Sequence, residues 1–229
     1  MRRDSSDTKR KILTVCVRLF LEQGYKNTSV SQIVDEAGVA RGSYLNLFPT
    51  KDRILLELTE TMFGGQFGVA RSIADSKLPP VYAYAVETAL QLTLTELNEN
   101  LREIYVESYT HSEVSEFIFR ATARELYRIF GPYQPELTAQ DFYYTEIGSA
   151  SIMRGYMAHP CGGALTLEKK LRLFLTMTLR AYKVPEAEVE QAIRFVEGLD
   201  IRATAERVMQ ALFQALAMRF AFSLQGIEE

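Results

Sequence analysis

The side chains best placed to do chemistry crowd into residues 41–46, where Arg41, Gly42, Ser43, Leu45 and Asn46 follow one another closely. A guanidinium, a hydroxyl and a carboxamide among small neighbours break no bonds. They can hydrogen-bond to the edges of bases and to phosphate oxygens. Arg41, Leu45 and Asn46 are therefore candidates for base contact, with Leu45 able to pack on a thymine methyl. Lys9, Lys11, Thr28, Ser29, Ser43 and Lys51 are candidates for phosphate contact. Gly42 lets the backbone approach a groove closely.

Other chemistries find little support. There is no phosphate-cradling glycine loop, nucleophile elbow or paired-histidine metal motif. Carboxylates lie mostly on helix faces beside Lys or Arg, as solvated surfaces do. His159 and Cys161 are two residues apart, but His111 is the only other histidine, and a zinc site wants more ligands than these. The expectation is a protein with no metal, no cofactor and no enzymatic activity.

The recognition residues need elements to hold them. Thr28 or Ser29 can cap a short helix by accepting an orphan N–H. Ile33, Val34 and Ala37 share one face of that helix. Gly38 suits a turn that needs positive φ, and Val39 plugs the corner. A second helix then runs through Ser43 to Phe48, with Tyr44 and Leu47 turned inward. Ahead of this pair, residues 7 to 23 predict a helix with Ile12, Cys16, Leu19 and Phe20 inward, stopped by Gly24. Lys9, Arg10 and Lys11 lie at its expected start, where they oppose the helix dipole and would welcome phosphate.

With Gly24-Tyr25 before it and Phe48-Pro49-Thr50-Lys51-Asp52 behind, the run from about residue 9 to 58 resembles the amino-terminal domain of the TetR family of bacterial transcriptional regulators. The resemblance implies an all-α, homodimeric repressor. A three-helix DNA-binding domain with a helix-turn-helix would occupy residues 1–51. A larger helical domain for ligand binding and dimerisation would occupy residues 52–229. It further implies that Lys51 faces the DNA backbone and that residues 52 to about 70 connect the domains. The chain departs from the family pattern at Leu45, where a phosphate-touching tyrosine is usual, and at Leu47, where a histidine is usual.

Beyond the connecting helix, Gly64-Gly65 and Gly68 predict a kink, and Lys77-Leu-Pro-Pro80 a boundary. Helices are expected over 81–100, 101–110, 112–130, 138–158, 166–182, from Pro185 to Gly198, and from Asp200 to about Phe222. Tyr144, Gly148, Ser151 and Gly155 form a small-residue stripe that admits a close helix. Tyr105, Tyr109, His111, Phe117, Tyr143, Tyr144, Glu146, Met153 and Tyr156 are the candidate effector-binding residues. Their aromatic richness suits an apolar or aromatic small molecule, and Glu107 or Glu146 facing inward would favour a cation. The last helix is apolar on two sides. With the family resemblance this suggests a two-fold dimer through Leu171, Phe174, Met209, Phe213, Leu216 and Phe220.

Charge is unevenly spread. Residues 1–53 hold ten Lys/Arg against six Asp/Glu, whereas the whole chain has net charge −3. A basic head on an acidic body fits a protein that presents one end to double-stranded DNA. No apolar run is long enough to span a bilayer, and no apolar segment follows the first arginines. Two isolated cysteines suggest a reducing compartment, so a cytoplasmic location is expected. The leading function is a transcriptional regulator on a pseudo-palindromic operator, tuned by an effector. The alternative is a helical dimer whose leucine-bearing recognition helix binds a protein partner.

Overall fold

The computed structural model describes residues 2–63, 70–73 and 78–225, and for residues 2–4 the backbone alone. The expected kink at Gly64, Gly65 and Gly68 lies outside the described residues, as does Lys77.

Besides helical residues 70–73, the described chain holds α1 Arg2–Gln23, α2 Val30–Ala37, α3 Arg41–Leu47, α4 Asp52–Phe63, α5 Pro80–Leu97, α6 Glu99–Ser108, α7 Ser112–Phe130, α8 Ala139–Met157, α9 Leu167–Ala181, α10 Glu186–Glu197 and α11 Ile201–Phe220. A single 3₁₀ turn, Gly131–Tyr133, follows α7. The fold is all-α, and no strand occurs among the described residues beyond an isolated bridge between Gly162 and Leu165.

Local chemistry explains most of the boundaries. Ser29 caps α2 by accepting from the Gln32 N–H, and Gly38 closes it in the left-handed region at φ 62°. Pro80 opens α5 where no N–H is required. Asn98 ends α5 and caps α6 through its side chain, which accepts from the Leu101 N–H at 2.8 Å. Thr138 and Asp141 form a reciprocal capping box at the start of α8, and Asp200 caps α11. The first helix begins at Arg2, earlier than its apolar spacing suggests. Lys9, Arg10 and Lys11 therefore lie well inside α1, and the argument from the helix dipole does not apply to them.

The head packs Ile12, Cys16, Val17 and Phe20 of α1 around Ile33, Tyr44 and Phe48. The body is built around α5, buried over most of its length, with α11, α10, α9, α8, α7 and α6 laid against it. Tyr182 anchors this core, its ring stacked on Phe130 at 4.3 Å. Head and body meet where α1 contacts α6 and α11. There Asn100 donates to the Leu21 carbonyl at 2.9 Å, and Thr14 donates to the Phe220 carbonyl.

Candidate nucleic-acid interface and effector pocket

The turn between α2 and α3 leaves one outward surface. Arg41, Gly42, Ser43, Leu45 and Asn46 are all exposed on α3, while Tyr44 is buried beneath them and Leu47 is half-buried. Leu45 is 45% exposed, a large apolar side chain in the middle of a polar surface. Ser29 and Lys11 are exposed as well. The Tyr44 hydroxyl reaches no hydrogen-bond partner, and burial pushes its pKa up to about 12.

Three expected phosphate contacts are engaged within the fold. Thr28 is buried and donates to the Gly24 carbonyl at 2.7 Å, so it shapes the turn before α2. Lys9 pairs with Glu57 of α4 and lies 5.9 Å above the Phe48 ring. Lys51 donates to the carbonyls of Tyr25 (2.6 Å) and Thr28 (2.9 Å), with its ammonium 3.9 Å from the centre of the Tyr25 ring. Desolvation lowers the Lys51 pKa. Two of its three N–H donors thus hold the α1–α2 turn against the start of α4.

At that same junction Tyr25 donates to Asp52, the first residue of α4. His111 bridges onward, with Nδ1 3.3 Å from Asp52 and Nε2 3.3 Å from Glu107. Lys26 reaches Glu107 at 3.0 Å. His111 and Glu107 therefore tie the head to the body, and they line none of the described pockets.

A half-open pocket of about 550 Å³ lies between α4, α5, α6 and α11. Its walls are mainly apolar, with Leu90 and Leu94 of α5 facing Val208 and Leu212 of α11. Tyr105 belongs to it, as do Thr61 and Met62 from the far end of α4. Glu87 and Gln91 of α5 line this pocket and also a small polar cavity behind it. Tyr109, Glu146 and Met153 line that smaller cavity. Gln91 donates to Glu87 at 3.0 Å, and Ser149 donates to Glu146. Burial pushes both carboxyl groups up to about 8, because a charge there would lose its water.

Of the expected effector residues, then, Tyr105 lies in the pocket and Tyr109, Glu146 and Met153 lie just behind it. The others are elsewhere. Phe117 packs half-buried on the core outside both cavities. Tyr143 donates to Glu116 at 2.7 Å on the outer side of α8, Tyr144 is 61% exposed, and Tyr156 donates to the Met177 sulfur. Sequence reasoning missed Glu87 and Gln91. The available signal was a carboxylate and a carboxamide one helical turn apart inside a run of apolar and threonine residues.

The residues expected at a dimer interface pack within the chain itself. Leu171, Phe174, Phe213, Leu216 and Phe220 are buried in the chain's own core, and Met209 packs half-buried against it. One apolar side of α11 meets that core, and the other meets the pocket. Among the described residues, four exposed apolar side chains, Tyr144, Ile147, Leu173 and Met177, lie on α8 and α9, with Tyr127 of α7 and Met218 of α11 exposed elsewhere on the body. Gly148 lies beside Ile147, with open space where a Cβ would be.

Comparison with known proteins agrees with this geometry. Residues 12–58 match the family described as "Bacterial regulatory proteins, tetR family". The amino-terminal head is thus similar to the TetR-family domain. The chain is 31% identical over 102 residues to the HTH-type transcriptional regulator LmrA of Bacillus subtilis (strain 168), covering 42% of this chain and 53% of LmrA. It is 28% identical over 97 residues to the uncharacterised HTH-type regulator YuxN of the same organism, covering 42% of this chain and 31% of YuxN. The matches thus span about a third to a half of these relatives' length. Beyond the TetR domain the likeness is one of fold. The crystal structure of RolR in complex with resorcinol superposes with a TM-score of 0.66 at 16% identity, covering 84% of this chain and 96% of RolR.

Proposed function

We propose that the protein is a homodimeric, TetR-type regulator of transcription acting in the cytoplasm. Its head, residues 1–51, binds a pseudo-palindromic operator, and its body, residues 52–229, adjusts that binding when a small molecule fills the pocket. The observation that carries this reading is the position of α4. Asp52 at its start is bonded to Tyr25 of the head, while Thr61 and Met62 at its other end line the pocket. A ligand that moves the wall at Met62 moves the element on which the head is seated. In a dimer the two α3 helices must stand about 34 Å apart to enter successive major grooves, so a few ångströms of displacement weaken binding. In this reading Arg41, Leu45 and Asn46 read bases. Lys11, Ser29 and Ser43 contact phosphate beside the backbone of Gly42, and Lys51 braces the turn. The effector is apolar or aromatic, as the pocket wall is, and the regulator acts as a repressor.

The second subunit docks on the exposed face of α8 and α9 around Gly148. Gly148→Arg places a charged side chain at the centre of that contact. It is expected to give monomers by analytical ultracentrifugation and to lose tight operator binding. A dimer of unchanged stability would move the interface elsewhere.

The coupling can be tested without knowing the effector. Leu212→Trp fills part of the pocket and touches nothing in the head. Operator affinity, measured by fluorescence anisotropy on a fragment selected from the source genome, is expected to change by roughly 5–150-fold, the usual range of allosteric coupling. A folded variant that binds the operator as the parent does would contradict the mechanism. A head that binds no duplex, yet captures a protein through Leu45, would favour the partner-binding alternative.

A further inference from the structure

The inner end of the large pocket is acidic. Glu87 is only 5% exposed, and its carboxylate receives one described hydrogen bond, from Gln91 at 3.0 Å. No described ion pair involves it. Arg71, whose charge acts weakly on it, is paired with Glu125 at 3.4 Å. Arg207 lies on the pocket wall, but its guanidinium donates to Thr204 at 3.1 Å on the exposed side of α11. Among the described residues, the other ionisable groups lining the two cavities are Tyr84, Tyr105, Tyr109 and Glu146, none of them basic. A carboxylate buried this deeply without a cation is costly unless a partner arrives. Apolar walls and, at one end, an acid with no ion-pair partner among the described residues define a ligand of complementary shape and charge.

We propose that the pocket takes a small molecule with an apolar or aromatic body and one ammonium-type cation, the cation seated on Glu87 and the body lying along Leu90, Leu94, Val208 and Leu212. This rests on the reading of the pocket as the effector site. An anionic ligand would find no described cation beside Glu87 to pair with, and it would hold Glu87 in its protonated form. A neutral hydroxyl would make an ordinary hydrogen bond where a charge-assisted one is about twice as strong. Cation binding displaces a proton from Glu87, because burial holds that group up to about 8 in the empty pocket. Affinity for a cation therefore rises with pH, by roughly tenfold per unit below that value, and levels off above it. Affinity for a neutral ligand of the same shape does not follow this trend.

The test is calorimetric titration of the full-length protein with naphthylethylamine and, separately, with naphthylethanol, from about pH 6 to about pH 8. The expected result is that the amine binds more tightly than the alcohol at the upper end. Its affinity should climb with pH while that of the alcohol stays level, and Glu87→Gln should remove the climb. If the alcohol binds as well as the amine, or the amine ignores pH, the charge assignment is overturned and the pocket reading survives. If neither compound binds, the pocket reading falls with it. The pH series on the parent protein stands whether or not Glu87→Gln folds.

Discussion

Helices α3 and α5 put polar residues to opposite uses. On α3, five of seven residues face solvent, and the polar ones among them are held by little but their own backbone. On α5, fourteen of eighteen are buried, and its polar groups are enclosed by apolar neighbours. A side chain on α3 gains little for stability and can be given wholly to a partner. Glu87 and Gln91 on α5 exact a stability cost, because each must be desolvated before anything binds it. On the proposed function, the contrast separates a surface free to recognise from a pocket free to sense.

The largest expected effect tests the α5 side of this contrast. Glu87 and Glu146 are held up to about 8 in the folded chain, whereas an exposed glutamate ionises near 4.5. Between those values the folded state holds protons that the unfolded state has released. Stability is therefore greatest at the acid end of this window and falls as pH rises, by at most about 1.4 kcal/mol per pH unit for each group. Above the folded value the decline stops. Urea unfolding from pH 5 to pH 8 should show the decline, and Glu87→Gln should lessen it. A flat profile would mean that these acids are already solvated or paired.

A smaller effect separates two lysines of the head. Lys51→Ala removes two charged hydrogen bonds to the carbonyls of Tyr25 and Thr28. It should cost stability by about 1.5–3 kcal/mol in chemical denaturation. Lys11→Ala should leave stability unchanged and instead lower the salt dependence of DNA binding by about one phosphate contact. If the two variants exchange behaviour, the roles given to them are reversed.

The same contrast explains what was legible in the sequence. The head was readable because its motif is local. Ser29, Gly38, Tyr44 and Phe48 do their work within a few residues of one another, and spacing alone orders them. The bracing role of Lys51 was not legible, because its bonds reach back to carbonyls 23 and 26 residues earlier, which spacing cannot show. The body helices were readable from Pro80, Gly131, Thr138 and Gly198, the residues that start and stop them. Their partners were not. Two apolar stripes on α11 say that two faces are covered, yet one meets the core at Phe213 and Leu216 and the other meets a cavity at Val208 and Leu212. Periodicity reports that a face is apolar and is silent on what lies opposite.

The central claim is that the exposed residues of α3 read DNA, and titration of an operator duplex at several salt concentrations tests it most directly. The account predicts binding whose logarithm falls linearly with the logarithm of salt concentration. It further predicts a loss of about 1–3 kcal/mol in specific affinity for Arg41→Ala, with the melting temperature unchanged. Absence of duplex binding at low salt, or full affinity in Arg41→Ala, would contradict it.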